Sequence, residues 1–230
     1  MLAEKSGIVL VKTINKENDF SPKIFDGIPV IAIHGTHERR GEGFVNPIHI
    51  LEKGGFLIHL HTSGVILEKG NERIAVHGLS GVPEEYVREV LEKWSPKPVS
   101  GCKNVFVFHQ SLKECIYDEN DTFMSVNDLP NGFDLYIDGH IHWRNVIEGK
   151  KKVLFPGSTV ITQQRKTEAD DKKGLLIIEI DGGIKHKFIE LESQRPFYYE
   201  EIKFNDASTK EVVDKSRKVL SRILSKKHEK

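Results

Sequence analysis

The sequence predicts an α/β fold of the α+β kind, a sheet core flanked by helices. Apolar, β-branched runs such as Ile28–Ile33, Val105–Phe108 and Leu175–Ile180 have the length of strands rather than of helices. A helically spaced stretch, Pro83–Trp94, stands between such runs, which is the order of a sheet with interposed helices. Several runs stop at Gly or His, as a buried strand does where it hands the chain to a loop.

The 230 residues carry 34 Lys+Arg and 34 Asp+Glu, so the net charge is zero and the length suits one ordinary domain, or one domain plus a piece of another. With 38% hydrophobic residues gathered in short runs, the chain can bury one core and is not disordered. A membrane span is excluded, because no apolar run approaches the necessary length. Charge balance argues against polyanion binding by bulk charge, so a nucleic-acid surface would have to be a local patch. Cys102 and Cys115 form no disulfide framework and no thiolate zinc cage, which suits a reducing interior. Met1-Leu-Ala-Glu-Lys5 does not open a signal peptide, and the expected location is cytoplasmic.

Taken in order, Gly27–His34 reads as a buried strand ending at Gly35, with Phe56–His61 and Arg73–Gly78 as further strands. Pro83–Trp94 has Pro at its start and apolar Tyr86, Val87, Val90, Leu91 and Trp94 in helical spacing. Val105–Phe108 stops at His109, and Asp134–Asp138 stops at Gly139-His140-Ile141-His142. Val153–Phe155 and Gly174–Ile180 follow as strands, the second closing in the turn dipeptide Asp181-Gly182, and residues 184–204 read as two short strands around Gln194-Arg195-Pro196. Ser208-Thr-Lys-Glu211 is a capping box, followed by Val212, Ser216, Val219, Leu220, Ile223 and Leu224 on one stripe. A single amphipathic helix must bury its stripe, so the helix over about 208–226 is expected to pack on another molecule or to fray in isolation.

His37, His109, His140 and His142 all stand just past strand-like runs, where loops of α/β sheets converge on a crevice. Gly139 permits close backbone approach, so His140 and His142 can aim two imidazoles at a metal, with a third from a neighbouring strand. His59 and His61 share one face of a strand and read as a polar face; His34, His49, His77, His186 and His228 read as structural or solvated. Pro156-Gly-Ser-Thr159 is open to two readings, a phosphate-binding loop and an ordinary turn.

In this order, Ile28-Pro-Val-Ile-Ala-Ile-His-Gly-Thr-His-Glu38, Phe108-His-Gln110, Asp138-Gly-His-Ile-His142 and Pro156-Gly-Ser-Thr159 resemble the last three metal-site motifs and the following loop of the calcineurin-like metallophosphoesterases. The flanking residues are similar to the nuclease subunit of double-strand-break repair complexes, the meiotic-recombination nuclease and its SbcD-like bacterial relatives. The resemblance covers about residues 27–195. It implies a β-sandwich metallophosphoesterase core flanked by helices over 1–195, amino-terminally truncated, with the start of a small capping domain over 196–230. It implies two Mn²⁺ ions, with His109 and His140 ligating one and His142 the other, and His37 as the catalytic histidine near the leaving oxygen. Ser158 and Thr159 would lie at the substrate loop, and Arg39, Arg40 and Arg144 would contact phosphate. DNA, an SMC-like ABC ATPase subunit and a second copy of the chain are the partners it brings.

The chain departs from the family pattern in two ways. Thr36 stands where the family has a metal-ligating Asn. The family's opening Asp-x-His and Gly-Asp motifs, whose Asp bridges the metals, are not found between Met1 and Asp26; Asp19 and Asp26 lack that context. Two divalent cations roughly 3.5–4 Å apart repel strongly unless a carboxylate bridges them, and neutral imidazoles do not replace it. Asp138 and Glu38 are the candidate replacements, although Asp138 alternates with Ile137 and could equally face solvent. The expectation is weak Mn²⁺ binding and little or no cleavage by this chain, with the missing motifs encoded upstream of Met1. Two further readings stand beside the nuclease: a non-catalytic scaffold that binds DNA or an ATPase, and a phosphoesterase for small esters.

Overall fold

The computed structural model describes residues 6–17, 21–38, 44–116, 124–180, 183–195 and 197–225. In chain order the elements are β1 (Val9–Ile14), β2 (Ile31–Ala32), α1 (Pro47–Lys53), β3 (Ile58–His59), β4 (Ser63–Lys69), β5 (Glu72–Leu79), α2 (Val87–Trp94), β6 (Lys103–Phe108), β7 (Leu135–Asp138), β8 (Asn145–Ile147), β9 (Val153–Phe155), α3 (Lys166–Asp170), β10 (Gly174–Ile180), β11 (Ile184–Glu190) and α4 (Thr209–Leu224). Arg39, Arg40, Asp181-Gly182 and Pro196 lie outside the described residues.

Seven strands form one mixed sheet in the order β1-β4-β5-β6-β7-β9-β8. Its middle, β5-β6-β7-β9, is parallel, and antiparallel β1 and β8 close the edges. Alternation along β6 sends Phe106 and Phe108 to one face and Val105 to the other. Phe106 is fully buried against Trp94, Phe133 and Tyr136, its ring centroid 5.3 Å from that of Phe133 in an edge-to-face contact. The opposite face, Val105, Leu135 and Leu154, is covered by Leu176, Ile178, Ile180 and Ile184 of the β10–β11 hairpin. The sheet is therefore layered between a helical side and a two-stranded sheet. Its parallel strands all aim their carboxyl ends at one edge.

Most of the expected strands form. Ile28–Ile33 does not become a buried central strand: β2 spans only Ile31–Ala32, pairs only with β3 among the described residues, and leaves Ile28 80% exposed. An apolar composition gives a strand only where a neighbour accepts its hydrogen bonds. Residues 197–204 likewise form no strand. Conversely, β4 was not evident from the sequence, although Gly70-Asn71 between Val65–Lys69 and Glu72–Leu79 is hairpin chemistry. Helix α1 is announced by Asn46-Pro47, the Asn side chain accepting from Ile48 N at 2.8 Å.

The capping box forms as expected: Ser208 N donates to Glu211 Oε2 at 2.8 Å and Glu211 N to Ser208 Oγ at 3.3 Å. Helix α4 touches its own chain through Arg222 to Glu200 at 2.8 Å and through Lys215 over the Phe204 ring. Its stripe stays largely open, Leu224 being 75% exposed. Among the described residues no helix is long and apolar enough to cross a membrane.

Removing the Phe106 ring opens a void between α2 and the sheet. Phe106→Ala should lower the unfolding free energy by about 3–5 kcal/mol, read as a reduced urea midpoint, whereas Ile28→Ser should change it by less than about 0.5 kcal/mol.

Candidate functional site

The register of the parallel strands sets the site. Phe108 stands opposite Asp138 across β6 and β7, and Leu79 opposite Phe108 across β5 and β6. The ladder continues one step beyond the strands: His109 N donates to Leu79 O at 3.2 Å and Gly139 N to Phe108 O at 2.9 Å. His109 and the Gly139-His140 turn thus leave the sheet at the same level. Their rings meet edge to face, His109 Nε2 lying 3.2 Å from His140 Nδ1, and His140 Nε2 lies 3.1 Å from Ser111 Oγ.

Burial pushes His109 down to about 4, and His140, His142, His34 and His37 each add to that by repelling a charge there. Burial also lowers His140, again with repulsion from His142 and His37. Of the four expected histidines, His37 and His142 thus act electrostatically on both His109 and His140. His37 lies exposed on the loop after β2. That loop presses onto His109 at Gly35, where an added Cβ would come 2.8 Å from His109 Cε1 and 2.9 Å from Glu38 Oε2.

Asp138 does not face solvent. It is fully buried on the Tyr136 side of β7, its Oδ1 accepting from His140 N at 2.9 Å and Gln110 N at 3.4 Å. Burial drives its carboxyl well above the usual carboxylate range; the two N–H groups oppose the shift and Glu84 adds to it. Its Oδ2, both Gln110 side-chain polar atoms and Glu84 Oε2 are buried without hydrogen-bond partners. The other candidate, Glu38, accepts from Gly35 N at 2.8 Å. Among the described residues no three His, Cys, Asp or Glu side chains gather as a metal would require.

His142 is held differently. Its Nδ1 lies 2.5 Å from Thr162 Oγ1 and 3.3 Å from Glu168 Oε1. Its carbonyl accepts from Ser158 N at 3.1 Å and from Lys173 Nζ at 2.9 Å. The Pro156–Thr159 turn packs on this backbone, Gly157 adopting a φ of +76° that brings its Cα face against His142 O. Ser158 is thereby engaged in holding His142, while exposed Thr159 lines a cleft of about 860 Å³ beside Lys173, Phe197 and Leu220. Arg144 binds Asp171, with Nε 2.9 Å from Oδ1, and stacks 3.9 Å over the Phe188 ring.

Sequence reasoning missed Ser111, Gln110, Glu84, Thr162, Glu168 and Lys173. Ser111 and Gln110 directly follow His109 and could have been noted; Glu168 and Lys173 sit in a charge-rich stretch that looks solvated. The other histidines also form a cluster. His34 Nδ1 lies 2.9 Å from His59 Nε2, which is 3.2 Å from Ser80 Oγ, and the His49 ring stands edge-on to His59. Burial, then repulsion from His49, His34, Lys16 and His61, pushes His59 down to about 3.

No family model matches the chain. It is similar to the DNA double-strand break repair protein Mre11 of Methanopyrus kandleri, 31% identical over 193 residues that cover 74% of this chain and 42% of that protein. It is 30% identical over 166 residues to the Mre11 protein of Sulfurisphaera tokodaii, covering 69% of this chain and 42% of that one. It is 32% identical over 197 residues to human double-strand break repair protein MRE11, covering 76% and 27%. The chain spans less than half the length of these relatives.

The depressed histidines fix the sign of the pH dependence. His59 near 3 and His109 and His77 near 4 stay neutral in the fold, while the unfolded chain takes up protons below about 6.5. The histidines' contribution to stability is full above that value and is lost as the pH drops toward 4, while the raised carboxyl of Asp138 contributes in the opposite sense. The melting temperature should be lower at pH 5 than at pH 7, and His59→Gln should shrink the difference. Gly35→Ala, which drives a methyl into His109, should cost about 1–3 kcal/mol and shift the His109 ring resonances.

Proposed function

The chain belongs to the family of the Mre11 DNA double-strand break repair proteins, and we propose that it forms the histidine-bearing part of a phosphodiesterase core acting on the backbone of DNA. The observation that carries the proposal is the meeting of His109 Nε2 and His140 Nδ1, 3.2 Å apart, at the ends of adjacent parallel strands.

Low proton affinity keeps His109 and His140 neutral near pH 7, and a cation binding between them would displace the hydrogen bond that joins His109 Nε2 and His140 Nδ1. A divalent metal, Mn²⁺ in this proposal, supplies Lewis acidity toward a phosphate when bound. The described residues do not fit a complete two-metal centre: two imidazoles converge, no third donor of the His, Cys, Asp or Glu type joins them, and Asp138 is turned into the core. In this reading His37, exposed on the loop after β2, delivers a proton to the leaving oxygen, and Thr159 marks the substrate side. Arg144 contacts phosphate only by exchanging its Asp171 partner. An SMC-like ABC ATPase and a second copy of the chain enter as partners through the family resemblance.

A second reading, a non-catalytic relative that keeps a DNA- or ATPase-binding surface, is favoured by Asp138. The buried Asp138 carboxyl uses Oδ1 to accept from the backbone N–H groups of Gln110 and His140, which fixes the loop rather than serving a cation.

Calorimetric titration tests the histidine pair as the metal site. The chain should bind Mn²⁺ weakly, His140→Ala and His109→Ala should each remove that binding, and cleavage of linear duplex DNA should stay near background. Tight uptake of two Mn²⁺ per chain contradicts the incomplete site; weak binding unchanged in both variants would mean that the histidine pair is not the metal site.

A further inference from the structure

Glu168 and Lys173 form an ion pair, Oε2 to Nζ 3.1 Å, in which the residues are 2% and 1% exposed. Burying two charges costs several kcal/mol per ion before any return, and a pair of well-packed apolar side chains is as stable or more so. A pair retained at such a place calls for a role other than stability. Both partners act on one residue. Lys173 Nζ holds the His142 carbonyl at 2.9 Å, and Glu168 Oε1, which has no hydrogen-bond partner among the described residues, stands at ion-pair distance, 3.3 Å, from His142 Nδ1. The backbone of Lys173 is itself fixed, its N–H donating to Gln194 Oε1 at 2.9 Å and its carbonyl accepting from Gln194 Nε2 at 2.7 Å. Lys173 is therefore an anchor tied to the base of the β10–β11 hairpin.

We infer that Glu168, neutralised and placed by Lys173, is a positioning residue that fixes the ring and tautomer of His142. A carboxylate oxygen 3.3 Å away repels a bare lone pair and attracts an N–H, so in this proposal the nitrogen facing Glu168 carries the proton. Thr162 Oγ1, 2.5 Å from the same nitrogen, accepts from it in that tautomer. His142 Nε2 then presents a bare lone pair, away from the interior, on a side chain that is 23% exposed. A carboxylate behind an imidazole in this way raises its basicity and holds its direction. That His142 belongs to the site rests on the reading above. The tautomer does not, and its measurement is independent of metal uptake and of cleavage.

The test is ¹⁵N-histidine NMR of the metal-free full chain at pH 8, reading the tautomer of His142 from its two ring nitrogens. The expected result is a dominant Nδ1–H form. Glu168→Met combined with Lys173→Met keeps the volume and removes both charges; it should shift the tautomer ratio at least tenfold toward Nε2–H. Thr162→Val should leave Nδ1–H dominant. If the double variant fails to fold, Glu168→Gln, which keeps the shape and loses the charge, should move the ratio in the same direction. A dominant Nε2–H form in the unaltered chain overturns the inference. So does a ratio indifferent to Glu168 in a folded variant, and so does a ratio that depends on Thr162 alone.

Discussion

The register between β6 and β7 is the constraint from which the site follows. Because Phe108 is level with Asp138, the next residues on each strand, His109 and Gly139, leave the sheet together, and the Gly139 N–H bonded to Phe108 O keeps them level. A slip of one residue would exchange the faces of Tyr136 and Ile137 and would send His140 away from His109. The apolar alternation that buries Phe106, Phe108 and Tyr136 on the α2 side holds this register, so the same packing that stabilises the sheet also sets the distance between the two imidazoles.

Beneath the histidines the interior is unusually polar. Asp138 belongs to the face that buries Tyr136, yet it replaces an apolar side chain with a carboxyl whose one oxygen caps the loop N–H groups of Gln110 and His140. Its other oxygen, the Gln110 amide and Glu84 Oε2 lack partners. Unpaired buried polar atoms cost roughly 1–3 kcal/mol each, and they sit directly behind the candidate site, where cost in stability is most readily tolerated. The Glu168–Lys173 pair repeats the pattern on the far side of His142. Both carboxyls serve the backbone or the rings of the histidines rather than joining them as donors toward a common point.

The helical side and the hairpin side divide the labour. Helix α2 and the Phe106 cluster hold the strands, whereas the β10–β11 hairpin covers the other face and anchors Lys173, through which it reaches His142. The histidines at the strand ends are thus gripped from both layers: His109 and His140 through the sheet, His142 through the turn at Gly157 and the buried pair.

The sequence by itself determined which residues could form the site and most of the sheet that carries it. Val105–Phe108 and Asp134–Asp138 are short, β-branched or aromatic, and closed by His or Gly, and these local properties suffice to mark strands and their ends. The capping box at Ser208 was equally legible, because a cap lies within four residues of chain. Only the tertiary structure decided what depends on a distant neighbour. Ile28–Ile33 reads as a strand core, yet a strand needs a partner on each side to be central, and here only β3 pairs with it among the described residues. Asp138 gave no local sign of its orientation, since period-two alternation does not say which face is inside. Glu168 and Lys173 resemble a solvated charge run until the fold brings residues 142, 168 and 173 together and removes the water, and only then do the charges bind each other and His142.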